Sequence, residues 1–196
     1  MSFSKVKIFN IALSNLGISA PIQNSVEESP TGILMNNYYE LARDTVLEAH
    51  DWSFANAHKA VASSFEDSPN PSYRYAFKFP NDCVAPRAVI DTTDHKEKKF
   101  EPAVDSSGAK IILTNSNPCI LRYTKRVTNE TFFTAAFVNA LAFYLAYLSA
   151  QVVTGSANKK NTNLQDYQIA IRQAIVTDAR KTETQDEDDK DFTDFR

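Results

Sequence analysis

Three histidines and two cysteines are the first residues of this chain to test for chemistry, because such side chains often act as bases, nucleophiles or metal ligands. They are His50, His58, His95, Cys83 and Cys119. No H-E-x-x-H, no C-x-x-C and no Cys/His zinc spacing occurs among them. His50 is adjacent to Asp51, but consecutive side chains point in different directions. We therefore predict no metal site, no cofactor and two reduced, buried thiols.

Motifs for nucleophilic catalysis and phosphate binding are also missing. The sequence contains no G-x-S-x-G, no G-x-x-x-x-G-K-[ST] and no G-x-G-x-x-G, and it has only 4 glycines. Glu27, Glu28 and Asp82 are dispersed carboxylates with no evident partner, and paired carboxylates are abundant only near the C-terminus. We predict that the chain is not an enzyme, with a hydrolase that uses an unrecognised carboxylate site as the alternative.

The C-terminal segment, residues 182–196, has a composition of its own. It carries seven acidic and two basic residues, a net charge of -5, which leaves the rest of the chain near +2. A nearly neutral body gives little support for a DNA-binding surface. Such a run is either a solvated charge block or an interaction tail that orders on binding. Because it lacks aliphatic residues, we predict that it is extended and disordered in the free protein.

A long apolar stretch raises the question of a membrane. From Ala135 to Val153 the clearly polar side chains are Asn139, Ser149 and Gln151, and this length could just span a bilayer. Six of the positions from 135 to 150 are alanine, which drives insertion weakly. We predict a buried core helix, with a single-span membrane protein as the alternative.

Four helices are predicted from the spacing of apolar residues and from residues that typically cap helix ends. The first runs from Ser4 to Leu16 before Gly17, and the second starts at Ser29-Pro30 and ends near His50. The predicted face of the second helix is Ile33, Leu34, Asn37, Tyr38, Leu41, Thr45, Val46 and Ala49. The third helix opens at Thr128-Asn129-Glu130 and ends at Thr154-Gly155. The fourth covers 163–181, with the stripe Leu164, Tyr167, Ile171, Ala174, Ile175 and Asp178.

The region between the second and third helices reads as short strands. Tyr73–Phe79 alternates strictly, and Trp52–Phe54 begins a further period-two pattern. Cys83-Val84 is predicted as a short helical turn. Other predicted strands are Arg87–Asp91, Lys98–Val104, Lys110–Thr114 and Cys119–Lys125. We predict an α+β fold: a four-helix bundle from residues 1–52 and 128–181, a small antiparallel β-sandwich or barrel inserted at 53–127, and an extended C-terminal tail at 182–196.

An ordered series of short segments resembles the tail tubular protein A and head-to-tail adaptor family of podoviruses. The series is Ala12–Gly17, Tyr39-x-x-Ala42-Arg43-Asp44, Asp51-Trp52-Ser53-Phe54-Ala55, Tyr75, Phe79-Pro80-Asn81-Asp82-Cys83, Arg87, Leu121-Arg122-Tyr123 and Phe132-Phe133. It covers about residues 8–181. The family typically has an arginine a few residues past the Trp motif, where this chain has Lys59.

The resemblance implies a structural protein with no shared catalytic residues. It implies a dodecameric ring that joins the portal to the tail at the head-tail junction of a virion, after folding in a bacterial cytoplasm. DNA would pass through the lumen without sequence-specific binding, and no membrane would be involved. Implied partners are the portal protein, the tail nozzle or tail tubular protein B, and tail fibres. The implied portal-docking residues are Asp186, Glu187, Asp188, Asp189, Asp191, Phe192 and Phe195.

Overall fold

The structure, a computed structural model, describes residues 2–25, 29–61 and 68–191, with side chains as far as residue 180. In these ranges the fold is mixed α+β, with four α-helices and two antiparallel sheets, which confirms the predicted class. The helices are α1 Lys5–Asn15, α2 Pro30–Glu48, α3 Ala135–Thr154 and α4 Ala157–Asp191. The strands are β1 Asn56–Val61, β2 Tyr75–Lys78, β3 Cys83–Asp91, β4 Glu97–Lys98, β5 Phe100–Val104, β6 Lys110–Thr114 and β7 Cys119–Lys125.

Two compact units make up the chain. The helical unit consists of Met1–Phe54 and Val127–Arg196, and the β unit is Ala55–Arg126. The helical unit therefore draws on two separated stretches of sequence, with the β unit between α2 and α3. The sequence prediction for this insertion is residues 53–127.

The predicted helix ends follow from local side chains. Ser29 caps α2 by accepting a hydrogen bond from the Gly32 amide at 3.1 Å, and Pro30 occupies the first turn. Gly17 after α1 and Gly155 after α3 have φ values of 75° and 65°, a left-handed conformation that glycine adopts without a side-chain clash. These caps confirm the predicted ends of the first three helices at those positions.

The predicted face of α2 is wrong. The buried residues are Gly32, Met35, Tyr39, Ala42, Arg43, Val46 and Leu47, so only Val46 is shared with the prediction. Ile33 and Leu41 are 50% and 55% exposed. Apolar residues occur on two sides of this helix, and periodicity alone does not say which side meets α3. Ile33 and Leu41 are therefore apolar residues on the surface of α2 and not part of the core.

Helix α3 is the central element of the helical unit, because it packs against α1, α2 and α4. Its fully buried alanines, Ala140, Ala142, Ala146 and Ala150, let neighbouring helices approach closely. The helix begins at Ala135, after a cap by Thr134, and Glu130–Phe132 form a separate 3₁₀ turn. The predicted opening at Thr128 is therefore wrong by about two turns. In the described residues α3 alone is long and apolar enough to cross a bilayer, and half of its most apolar window is buried.

Helix α4 is longer than predicted in both directions. It begins at Ala157 rather than 163 and continues to Asp191, so the prediction that the chain is extended from residue 182 is wrong as far as 191. Residues 182–191 contain no glycine or proline, and Glu183, Gln185, Glu187 and Lys190 are good helix formers. A helix already formed upstream can add such residues without a new nucleation cost.

The β unit contains two open antiparallel sheets, ordered β1-β7-β3-β4 and β2-β6-β5. Within the described part of the chain neither sheet closes into a barrel. Residues of both sheets share one core: Phe77, Val89, Ile112, Cys119, Leu121 and Tyr123. Ile111 and Leu113 point to the opposite face of β6 and pack with Tyr73 and Ala76. Both faces of the β2-β6-β5 sheet are therefore covered.

Two strand predictions match the structure residue for residue, namely those for β6 and β7. Two other local predictions, one of a strand and one of a helical turn, are wrong. Ser53–Ala55 is a 3₁₀ turn rather than extended chain, and Cys83 begins β3 rather than a helical turn. The β3–β7 register shifts between Cys83 and Ala85 and again between Pro86 and Ala88. Such bulges admit a proline that cannot donate to the ladder, and they hide the alternation from a sequence reading.

The two cysteines are free, Cys119 buried and Cys83 partly buried. Burial raises the pKa of each thiol to about 11. The predicted burial is therefore confirmed for Cys119 and is wrong for Cys83, which is only partly buried. A raised pKa disfavours the thiolate, which is the reactive form of cysteine, near neutral pH.

Acid stability of the β unit is predicted to depend on Asp91. Its carboxylate accepts hydrogen bonds from the Ser116 hydroxyl at 2.6 Å and the Thr93 amide at 2.7 Å, which lower the pKa of Asp91 to about 2. The unfolded state then binds the proton more tightly, so this contribution is present above about pH 4 and is lost as pH falls towards 2. Ser116→Ala is expected to flatten that decline. Urea unfolding at a series of pH values measures it, and an unchanged acid slope would contradict the assignment.

Candidate interaction sites

Trp52 is the largest fully buried side chain in the described residues. Its indole N–H donates to the Val46 carbonyl in the last turn of α2 at 2.9 Å. The ring meets Phe137 of α3 edge to face at a centroid distance of 5.1 Å, and His50 in the same way at 5.0 Å. Trp52 therefore fixes the C-terminal end of α2 against α3.

Phenylalanines extend this contact into an aromatic cluster of Trp52, Phe54, Phe133 and Phe137. Phe54 lies 5.0 Å from Phe137 and 5.8 Å from Phe133, centroid to centroid, and Phe133 lies 4.8 Å from Phe137. Offset and edge-to-face pairs of this kind are worth about 0.5–1.5 kcal/mol each beyond their buried area. The cluster joins the stretch that follows α2 to the stretch that leads into α3.

A second contact, the Asp178 clamp, consists of Asp178, Ser53 and His50. Asp178 lies on α4 and is 4% exposed. One carboxylate oxygen accepts from the Ser53 amide at 2.8 Å, and the other accepts from the Ser53 hydroxyl at 2.7 Å. His50 Nε2 is 3.6 Å from the first of these oxygens. The clamp ties α4 to the turn after α2.

The clamp contains serine, histidine and aspartate, but not in the order of a nucleophilic triad. In such a triad the imidazole lies between the hydroxyl and the carboxylate, so that it can take the hydroxyl proton. Here the carboxylate lies between Ser53 and His50 and accepts from the hydroxyl directly. An aspartate held this way cannot pass the serine proton to His50. The arrangement fits a structural role.

Residues 39–44 also have structural roles. The Tyr39 hydroxyl donates to Glu130 at 2.9 Å, and burial together with the Glu130 charge raises the pKa of Tyr39 far above its ordinary value. Ala42 is fully buried, and Arg43 pairs with Asp44 at 2.9 Å. The segment links α2 to the turn before α3. Across the described ranges no group of three His, Cys, Asp or Glu side chains is placed to hold a metal ion.

Two contacts were not predicted from the sequence, namely the Asp178 clamp and a hydrogen bond between Lys159 and Leu16. Asp178 stood on the apolar stripe of the fourth helix, and a single carboxylate in such a stripe is the signal that it has a buried partner. Lys159 donates to the Leu16 carbonyl at 2.6 Å, a cation at the C-terminal end of α1. No local pattern near Lys159 indicates that contact, because its partner is 143 residues away.

The predicted portal-docking residues fall into two groups, those within α4 and those outside the described residues. Asp186, Glu187, Asp188, Asp189 and Asp191 lie in the last turns of α4, and Phe192 and Phe195 lie outside the described residues. Residues 182–196 include seven acidic and two basic residues, so a basic partner would complement the charge of this segment.

No family model matches the chain, and a search of curated proteins returns no significant match.

Proposed function

We propose that this protein is a virion structural protein of the podovirus adaptor type, and not an enzyme. In this proposal twelve copies of the chain form a ring that joins the portal to the tail and continues the DNA channel. The finer architecture proposed with it is a four-helix bundle carrying an inserted β-sandwich. The ordered segments that resemble the adaptor family support it, and several of them contribute core residues here, such as Tyr39, Ala42 and Trp52.

The observation that carries the proposal is the charge of residues 182–196, which include seven acidic and two basic residues. A segment with a net charge of -5 is complementary to a basic surface on another protein, and such a surface would offset the repulsion among its like charges. We assign the portal protein as that partner, with the tail nozzle or tail tubular protein B and tail fibres on the other side of the ring.

The proposed localisation is the head-tail junction of a virion. The proposed channel lets DNA pass without sequence-specific binding, because the body of the chain is nearly neutral and the C-terminal segment is acidic. A single-span membrane role is less well supported. Helix α3 already packs against three helices of its own chain, and its buried alanines are fitted to those neighbours.

Deleting residues 182–196 tests the docking segment. The full chain is expected to copurify with the portal protein encoded in the same genome, and the shortened chain is expected to lose that binding. Because the contact is between charges, it should weaken as salt is raised. A matched control replaces Phe192 and Phe195 with alanine and keeps the acids, which separates the aromatic from the ionic contribution. Portal binding that survives the deletion would overturn the docking assignment.

A further inference from the structure

Helix α4 is too long to lie along α3 for its whole length. It has 35 residues and α3 has 20, which at 1.5 Å per residue gives about 52 Å and about 30 Å. Gly155 and Ser156 connect the two helices, which pack against each other. Tyr144 and Tyr167 are equally far from this connection and meet at a centroid distance of 4.7 Å, so the pair is antiparallel. The last residues of α4 therefore extend about 20 Å past the start of α3.

The buried side of α4 fixes how this extension leaves the helical unit. Ala170, Ala174 and Asp178 are buried at four-residue steps along one side of the helix. Asp178 is the last buried residue of α4 among those whose side chains the structure describes. Both of its carboxylate oxygens accept from Ser53. This packing sets the direction of α4 and its rotation about its own axis, and residues 182–191 begin one helical turn later.

No break separates Asp178 from the acidic residues that follow. The sequence from Ala157 to Asp191 contains no glycine and no proline, and its backbone is helical throughout. A continuous helix carries the direction and rotation set at Asp178 into residues 182–191. A segment presented in this way loses less conformational entropy on binding than one that must first fold. Residues 182–191 are therefore preorganised for a partner that accepts a helix.

We propose that residues 182–191 bind the portal protein as a rigid continuation of α4, in the direction and rotation that the packing of α4 sets. The surface that they fit is a groove that accepts one side of a helix. Basic residues line this groove, because the segment 182–196 has a net charge of -5. A sheet edge would instead need an extended segment. This inference rests on the proposed function and adds the form in which the docking segment is recognised.

A proline substitution tests whether the segment is bound as a helix. Gln185→Pro removes a backbone N–H and clashes with the carbonyl of residue 181, whereas Gln185→Ala keeps a good helix former, and neither changes the charge. Titration with the portal protein from the same genome measures the affinity. The alanine variant is expected to bind like the unsubstituted chain, and the proline variant about ten-fold or more weakly. Urea unfolding is the control, with the same midpoint expected for all three chains because residue 185 lies beyond Asp178.

Alanine insertions after Lys181 test whether the rotation of the segment matters. Two alanines turn the segment by about 200° and lengthen the helix by about 3 Å. Four alanines turn it by about 400°, which brings it close to its original side, and lengthen the helix by about 6 Å. A rigid helix predicts that the four-alanine chain binds the portal at least about five-fold more tightly than the two-alanine chain, although its insertion is longer. A flexible tether would be indifferent to this choice.

Equal portal binding by the proline and alanine variants would overturn the proposal, and so would insertions whose effect does not depend on rotation. If either result occurs while deletion of residues 182–196 abolishes binding, the segment is recognised in another form and the proposed function stands. Portal binding that survives the deletion would overturn the docking assignment itself, and this inference with it.

Discussion

Replacing Trp52 with alanine is expected to destabilise the helical unit by about 3–5 kcal/mol, the usual cost of removing a large aromatic side chain from a core. Trp52 is fully buried, and its loss would also free the Val46 carbonyl and remove ring contacts to Phe137 and His50. Since small domains are stable by only about 5–15 kcal/mol, the variant is expected to be close to unfolding.

The measurement is urea unfolding followed by far-UV circular dichroism, because Trp52 is the only tryptophan and its fluorescence is lost in the variant. Trp52→Phe keeps an aromatic ring and is expected to lose less than the alanine variant. Phe132→Ala is the matched surface control, because Phe132 is 62% exposed. A Trp52→Ala midpoint close to that of the control would mean that the cluster does not hold α2 against α3.

Replacing Asp178 with alanine is expected to cost about 3 kcal/mol, because a buried charged acceptor and the partners it satisfies are lost together. The Ser53 amide and hydroxyl would each lose their acceptor, and His50 would lose its carboxylate neighbour. The effect should be on stability and on the docking of α4, since the clamp is not arranged for proton transfer.

A double-mutant cycle separates the clamp from a general packing effect. Ser53→Ala alone is expected to cost about 1–2 kcal/mol, because the hydrogen bond from the backbone amide of residue 53 to Asp178 remains. In the Asp178→Ala background the same change should cost almost nothing, as expected for residues that share one interaction. Thr177→Ala, next to Asp178 but exposed and bonded only within its own helix, is the control. Additive costs for Ser53 and Asp178 would contradict the clamp.

Local signals account for the elements that the sequence predicts well. Ser29-Pro30, Gly17 and Gly155 act through the residues next to them, so a cap is visible without knowing the fold. The strands 110–114 and 119–125 lie between turn residues and have few irregularities, which makes their bounds readable. The bulged start of β3 at Cys83 breaks the alternation and was missed for that reason.

Tertiary contacts account for most of the errors. Helix α2 has apolar residues on two sides, and only the position of α3 decides that Met35 is buried and Ile33 is not. Asp178 and Ser53 are 125 residues apart, so their pairing has no local signature. The helical state of residues 182–191 depends on the helix that precedes them, which composition alone does not reveal.

Imaging of the chain mixed with the portal protein from the same genome tests the adaptor proposal most directly. Negative-stain class averages of the portal alone and of the mixture would be compared at equal portal concentration. The proposal predicts that the mixture shows a second ring of density on one end of the portal, and that a chain lacking residues 182–196 does not add it. Portal particles that look the same with and without the full-length chain would contradict the proposal.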